Sequence, residues 1–66
     1  MINLTIALDV MGGDQGPHVT LPAAMLAINN FPNLHLFLCG DETVIVETLS
    51  KKQFYPHPRI TIFPTT

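Results

Sequence analysis

The sequence predicts an α/β fold built around a mainly parallel sheet. Three short apolar segments of strand character alternate with two longer segments of helical character, in the order strand, helix, strand, helix, strand. The connections between these segments are short, which favours right-handed crossovers and parallel strands. The strand segments are also apolar on both faces, as is typical of parallel sheets that are covered on both sides.

The three predicted strands are residues 4–8, 34–39 and 59–63. The first alternates branched or long apolar residues with small ones and runs into a glycine-rich break, which indicates a buried strand. The second is ended by Gly40. The third stops at Pro64, because proline interrupts the hydrogen-bond ladder of a sheet.

The first predicted helix covers residues 17–30. Pro17 suits a first helical position. Pro22 removes a backbone donor beyond the first turn, so we expect either a late start near Thr20 or a kink. Residues 21–28 are apolar around the whole helix circumference, so one sheet face cannot cover them and we expect a second covering layer.

The second predicted helix covers residues 41–52. Asp41 is the predicted N-cap, and Glu47 and Lys51 form an i,i+4 pair. Acidic residues at the start and lysines at the end complement the helix dipole. One amphipathic face is expected to be buried, and its apolar stripe consists of Val44, Ile45 and Leu49.

Charged side chains are scarce in this chain. Apolar residues make up 47% of it, but Asp, Glu, Lys and Arg only 12%, about half the ~25% usual in soluble domains. Residues 15–40 carry no formal charge at all. Three strands and two helices can cover only one face of a sheet, so we interpret the missing charge as interior surface. We expect residues 1–66 to be the amino-terminal part of a single larger α/β domain, truncated after the third strand.

Composition also argues against several classes of function. Glycine, proline and asparagine interrupt the uncharged stretch, which disfavours a transmembrane helix, and the chain lacks the basic start of a secretory signal. The expected location is therefore the cytoplasm. A net charge of −2 with three basic residues disfavours a nucleic-acid partner. Cys39 has no second cysteine for a disulfide, and the three histidines show no metal-ligand spacing, so no metal site is predicted.

The glycine-rich loop after the first strand, residues 9–17, is the candidate functional site. Three of the four glycines lie here, namely Gly12, Gly13 and Gly16. They permit positive φ angles and let a ligand approach the backbone closely. In parallel sheets, ligands bind outside the carboxyl ends of strands, where the N-terminus of the following helix attracts anions. A tight turn without a ligand is the other interpretation of this spacing.

The polar side chains of this loop also have two interpretations each. Asp9 either binds substrate or fixes the loop by accepting backbone N–H groups, and Asp14 either binds substrate or caps the helix. Both carboxylates would repel a phosphate, so a bound anion requires loop amides or a cation from elsewhere in the protein. His18, just inside the helix, is the histidine positioned to contact a ligand. We expect His35 to be packed or partnered and Cys39 to be a small buried side chain.

A nucleotide-binding module is an alternative that the sequence leaves open. In the dinucleotide motif G-x-G-x-x-G, Gly13 and Gly16 supply the last two glycines, but Met11 stands where the first should be. Asp41, after the second strand, has the position of a ribose-binding acid. The first lysine is Lys51, which disfavours a Walker A loop. A third interpretation is a non-catalytic piece whose apolar faces dock on a partner.

Residues 6–17, with the sequence IALDVMGGDQGP, closely resemble the amino-terminal signature A-[LM]-D-x-M-G-G-D-x-G-P of the bacterial phosphate acyltransferases of phospholipid synthesis. The resemblance extends more loosely through residues 19–24 and 38–40. Members of that family are several times longer than this chain. The resemblance implies a Rossmann-like three-layer α/β/α sandwich that assembles as a homodimer.

The resemblance further implies transfer of a fatty acyl group from acyl carrier protein to inorganic phosphate, which gives acyl phosphate. It implies no cofactor, and a cytoplasmic enzyme that can associate with the membrane surface beside a downstream acyltransferase. The substrate-binding residues are then expected within the loop, at Asp9, Gly12, Gly13, Asp14, Gly16 and His18. No catalytic residue is identified among these 66 residues, and we expect the residues of the acyl chemistry beyond Thr66.

Overall fold

A computed structural model describes residues 3–12 and 16–65, and these form three parallel strands and two helices. The elements are β1 (Leu4–Asp9), α1 (Pro17–Asn30), β2 (Leu34–Gly40), α2 (Glu42–Lys51) and β3 (Ile60–Pro64). The predicted α/β class and the type and order of each element are confirmed. This is the arrangement of a Rossmann-like start.

The sheet has the strand order β1-β2-β3, with both pairs parallel. Every second side chain of β2 is buried, beginning at Leu34, and these side chains share one core with residues from both helices. Both helices therefore pack on the same face, as expected when consecutive right-handed crossovers move in one direction. The core consists of Val10, Leu21, Ala24, Ile28, Leu34, Leu36, Leu38, Ile45, Leu49 and Ile60.

The opposite face of the sheet carries no helix in the part of the chain that is described, and we call it the open face. His35 lies on it and shares a 2.8 Å hydrogen bond with the Thr61 hydroxyl. The Phe37 ring contacts the rings of His35 and Phe63, with centroids 5.1 and 5.2 Å apart. The prediction that His35 is partnered is confirmed. The prediction that Cys39 is buried is wrong, because Cys39 lies half-buried on this open face.

β1 forms an outer edge of the sheet. The prediction that it is buried is wrong within this chain, since Leu4 and Ile6 are 48% and 46% exposed. The physical reason is that β1 pairs only with β2, while a groove of about 390 Å³ separates it from α1. Apolar side chains line this groove, including Ile6, Leu8 and Ala27.

α1 begins at Pro17 and continues to Asn30, with Pro22 inside it. The prediction of a late start near Thr20 is therefore wrong. Pro22 is exposed and costs the helix the backbone N–H that would reach back to the previous turn. The alternative expectation, a kink at Pro22, stays a prediction. On the outer side of the helix, Leu26 is 61% exposed. The covering layer expected over this apolar surface stays a prediction.

α2 follows the predicted pattern closely. Asp41 is its N-cap, and the Asp41 Oδ1 atom accepts hydrogen bonds from the backbone N–H groups of Thr43 and Val44 at 3.0 and 3.3 Å. Ile45 and Leu49 are fully buried in the core. The predicted cap is confirmed, and of the predicted apolar stripe Ile45 and Leu49 are buried while Val44 is half-buried.

The end of α1 is held by a side chain that precedes β3. α1 has no basic residue in its last turn, but the Arg59 guanidinium donates to the carbonyl oxygens of Ile28, Phe31 and Leu34 at 3.0, 2.7 and 3.1 Å. Ile28 lies in the last turn of α1, whose carbonyl oxygens lack intrahelical donors, Phe31 is the C-cap, and Leu34 begins β2. Arg59 thus ties the end of α1 and the start of β2 to the start of β3.

No helix within residues 3–12 and 16–65 is long and apolar enough to cross a membrane.

Candidate functional site

The loop between β1 and α1 starts at the carboxyl end of the sheet and is anchored to β2. Val10, directly after β1, is fully buried. Its backbone N–H donates to the Cys39 carbonyl oxygen at 2.9 Å, which extends the parallel ladder by one bond beyond the strand. The position is the one at which open parallel sheets bind ligands.

Asp9 fixes the first turn of the loop. Its Oδ1 atom accepts a hydrogen bond from the Met11 backbone N–H at 3.2 Å, and its carbonyl oxygen accepts one from the Gly12 N–H at 3.4 Å. The turn has no room for a side chain at position 12, since a Cβ there would lie 2.8 Å from Asp9 Oδ2. The loop-fixing interpretation of Asp9 is therefore confirmed, and its contact with substrate stays a prediction.

Gly16 is the N-cap of α1 and has a backbone conformation that requires glycine. Its φ and ψ angles are 66° and −155°, a region that other residues almost never occupy. The Gly16 carbonyl oxygen accepts the backbone N–H groups of Val19 and Thr20 and the Thr20 hydroxyl, at 3.2, 3.1 and 3.1 Å. Among residues 3–12 and 16–65, no side chain caps this helix start, and the positive end of the helix dipole faces the loop.

His18 is the second residue of α1 and is exposed. The structure thus brings Asp9 and Gly12 together in one turn and places Gly16 with His18 at the helix start. The predictions for Gly13 and Asp14 lie outside the described residues. The hydrogen bonds described for this site therefore lie at the start of the loop, from Asp9 to Gly12, and at its end, from Gly16 to Thr20.

The basic side chains lie far from this loop along the fold. Lys51 and Lys52 end α2, and Arg59 precedes β3. In parallel α/β units the helices run back against the strands, so these positions lie at the opposite edge of the sheet from the loop. Within the described ranges, an anion at the loop would meet backbone amides, the helix dipole and His18, but no Lys or Arg. In the same ranges, no three His, Cys, Asp or Glu side chains are placed to hold a metal ion.

The nucleotide-binding alternative gains no support from Asp41. The Asp41 Oδ1 atom already accepts two backbone N–H groups of α2, so the carboxylate acts as a helix cap.

Met11 and Gly40 make a contact that sequence reasoning missed. A Cβ atom on Gly40 would lie 2.8 Å from Met11 Cγ and 3.3 Å from Met11 Sδ. The Met11 side chain therefore lies directly over the Gly40 backbone, at the end of β2. The sequence signal that could have indicated this contact was Gly40 itself. A glycine at the end of a strand often marks a place where another group approaches the backbone closely.

Comparisons with known proteins agree with this geometry. A family model described as fatty acid synthesis protein matches residues 4–66. The chain is 55% identical over 69 residues to the phosphate acyltransferase of Colwellia psychrerythraea, covering 97% of this chain and 20% of that protein. It is 53% identical over 66 residues to the phosphate acyltransferase of Shewanella amazonensis, covering 100% of this chain and 19% of that protein.

A third relative, the phosphate acyltransferase of Vibrio atlanticus, is 50% identical over 62 residues, which cover 94% of this chain and 18% of that protein. The chain therefore spans about a fifth of the length of the curated relatives it matches. Because the family match extends over nearly every residue, including the loop and all five elements, the chain belongs to the fatty acid synthesis protein family.

Proposed function

We propose that this chain is the amino-terminal part of a phosphate acyltransferase. The reaction is transfer of the acyl group of acyl-[acyl-carrier-protein] to inorganic phosphate, with formation of acyl phosphate for phospholipid synthesis. The observation that carries the proposal is the DVMGGDQGP loop at the carboxyl end of β1, in a chain 42–57% identical to proteins named phosphate acyltransferase.

The proposed chemistry sets clear requirements for the site. A phosphate oxygen attacks the thioester carbonyl carbon, the carbon–sulfur bond breaks, and the carrier leaves as a thiol after its sulfur takes up a proton. The site must hold phosphate close to the thioester and must donate hydrogen bonds to the oxyanion of the tetrahedral intermediate. A glycine-rich loop that leads into a helix N-terminus supplies backbone donors suited to either task.

Within this proposal, Gly12, Gly13 and Gly16 contact the substrate. Gly13 and Gly16 present backbone amides to it, whereas the Gly12 N–H is bonded to the Asp9 carbonyl oxygen. Asp9 and Asp14 shape the loop, and His18 contacts the anion. The Asp9 carboxylate is already bonded to the Met11 amide, which directs one of its oxygens at the loop itself. A cation that offsets the carboxylate charge comes from a part of the protein outside these residues.

The proposal also places the chain in a larger α/β domain. Support comes from the open face of the sheet, the exposed edge strand β1 and the exposed outer side of α1. Strands and helices that follow in a protein of the relatives' length would cover these surfaces and complete a three-layer sandwich. The proposed assembly is a homodimer that works in the cytoplasm and can associate peripherally with the membrane surface.

The experiment that tests the function uses the natural protein that carries this chain, mixed with long-chain acyl carrier protein and phosphate. We expect release of carrier thiol, detected with a thiol reagent, well above a phosphate-free control. Thiol release equal to that control would contradict the acyltransferase. Saturable enhancement of NADH fluorescence would instead favour the nucleotide-binding module, and inactivity in both assays would favour a non-catalytic docking piece.

A further inference from the structure

The end of β2 touches the substrate loop through a residue that has no side chain. Gly40 is buried and is the last residue of β2. Its carbonyl oxygen accepts the Thr65 backbone N–H at 2.9 Å, and its neighbour Cys39 accepts the Val10 N–H. The backbone at this point is therefore fixed from both sides by the sheet.

The Met11 side chain occupies the space that a side chain at position 40 would need. An added Cβ would lie 2.8 Å from Met11 Cγ, a separation that real Cβ atoms essentially never show, and 3.5 Å from Ile45 Cδ1 of α2. With Ile45 fully buried and the strand held by its hydrogen bonds, Met11 is the side chain that must move. The Gly40 φ of 158°, which residues with a side chain rarely adopt, adds backbone strain to any substitution at this position. Met11 is 43% exposed, so it has space into which it can move.

Moving Met11 acts directly on the loop. The Met11 backbone N–H is the donor that holds the Asp9 carboxylate, and that carboxylate fits closely against Gly12. Asp9, Met11 and Gly12 therefore form one packed turn, seated on Gly40. A displaced Met11 would change the direction of the amides that follow it.

We propose that Gly40 is a positioning residue for the substrate loop, acting through Met11. This inference rests on the proposed function, since it assigns the loop to phosphate. Gly40 touches no substrate in this account. The Met11 side chain packs against the Gly40 backbone. This contact sets the position of the first turn of the loop relative to the sheet.

A double-mutant cycle in the natural protein tests the inference, with the variants Gly40→Ala, Met11→Ala and the two together. We expect Gly40→Ala to raise the KM for phosphate about tenfold, with a smaller change in kcat. On the Met11→Ala background the displaced side chain is gone and only the backbone strain at position 40 remains. The same substitution should then change KM less than about twofold while still lowering the melting temperature. Such a difference between backgrounds measures coupling between the two positions.

A control variant separates positioning from general destabilisation. Arg59→Met removes hydrogen bonds at the opposite edge of the sheet, so it should lower the melting temperature while leaving the KM for phosphate unchanged. An equal rise in KM on both backgrounds, or a fall in melting temperature without a change in KM, would overturn the inference.

Hydrogen exchange provides a readout that does not depend on activity. Gly40→Ala should accelerate exchange of the Met11 and Gly12 amides, and adding it to Met11→Ala should produce no further acceleration. If the wild-type protein releases no carrier thiol, the proposed function fails while the exchange rates still decide the positioning role. Unchanged exchange rates of these two amides in Gly40→Ala would overturn the positioning role of Gly40, whatever the activity of the variant.

Discussion

At the scale of single residues, the site depends on a fitted contact between the Asp9 carboxylate and the bare backbone of Gly12. The Asp9 Oδ1 atom holds the Met11 amide, and a Cβ at position 12 would lie 2.8 Å from Oδ2. A side chain at position 12 would therefore force the carboxylate to shift. Gly16 is different, because nothing lies within 4 Å of the place a Cβ would take and the constraint is its positive φ.

The variant Gly12→Ala should lower kcat/KM for phosphate about tenfold or more, while its melting temperature falls only slightly. The added methyl group displaces the Asp9 carboxylate at an exposed turn, so the loop changes shape but the core does not. Gly13→Val, in the part of the loop outside the described residues, should behave in the same way. Steady-state kinetics beside thermal melting check both variants, and proportionate losses of activity and stability would assign the glycines to folding alone.

Gly16→Ala provides the matched comparison. Forcing a side chain into this backbone conformation costs on the order of 1–3 kcal/mol, so this variant should lose stability together with activity.

His57 carries a pH dependence of stability that can be read from its contacts. Desolvation by burial, and secondarily the positive charge of Arg59, lower the pKa of the His57 imidazole. Its Nδ1 atom accepts the Arg59 backbone N–H at 3.0 Å, and its ring stacks on Phe54. Only the neutral imidazole can accept that hydrogen bond at Nδ1.

Because the folded pKa is lowered, the unfolded chain binds the proton more readily. The contribution of His57 is complete above the unfolded pKa of about 6.5 and is lost as the pH falls through the folded pKa. Wild-type protein should therefore lose more unfolding free energy between pH 7.5 and 5.5 than His57→Asn, whose amide oxygen accepts a hydrogen bond but does not titrate. Urea unfolding at both pH values checks this, and parallel losses in the two proteins would refute it.

At the scale of elements, one end of each helix is completed by a side chain from outside the helix. Asp41 caps the start of α2 from the adjacent position. Arg59 caps the end of α1 from a residue that is distant in sequence but close in the fold.

The variant Asp41→Ala should destabilise the protein by about 1 kcal/mol, because two N–H groups of α2 lose their acceptor. Asp41→Ser, which restores an oxygen at the same place, should recover most of the loss. The midpoint of urea unfolding measures both. Equal midpoints for the alanine and serine variants would argue against capping as the source of the effect.

The variant Arg59→Met should lower the free energy of unfolding by about 1–3 kcal/mol, since three carbonyl oxygens lose a charged donor while the apolar stem is kept. The free energy of unfolding of Arg59→Lys should lie between those of the wild type and Arg59→Met, because an ammonium cannot reproduce the planar fork of donors. Chemical denaturation gives the values. A lysine variant as stable as the wild type would show that the charge matters and the three-point geometry does not.

These two caps also show how far the sequence predicts the fold. Asp41 was predictable because its cap is local, set by the residue type and the helix that follows. The role of Arg59 was not predictable, because it depends on which distant carbonyl oxygens the fold brings within hydrogen-bond distance of the guanidinium. The same holds for β1, whose apolar pattern predicts burial but whose neighbours depend on the strand order, and for Met11, whose seat on Gly40 appears only when β1 and β2 are paired.

At the scale of the whole molecule, both helices lie on the same face of the sheet. Large apolar side chains nevertheless remain exposed along β1, in the loop, on α1 and on the open face. These are Leu4, Ile6, Met11, Val19, Leu26, Phe31 and Phe63. The scarcity of charge in the sequence therefore corresponds to real apolar surface on this part of the chain.

A peptide of these 66 residues alone should aggregate or stay unfolded, because these surfaces would meet water or one another. Size-exclusion chromatography and thermal melting of the isolated peptide test this, with the natural protein measured in parallel. A monomer that melts cooperatively would refute the expectation.

The order of the strands has a consequence for how such a protein is made. Each strand pairs with the next one along the chain, Leu4 with Leu34 and Leu36 with Ile60, so the pairing of these three strands involves no segment synthesised later. Pairing between segments that are close in sequence costs less loop-closure entropy than pairing between distant ones. In a protein of the relatives' length, these strands can therefore begin to pair during translation, and they become stably folded when the later segments cover the open face.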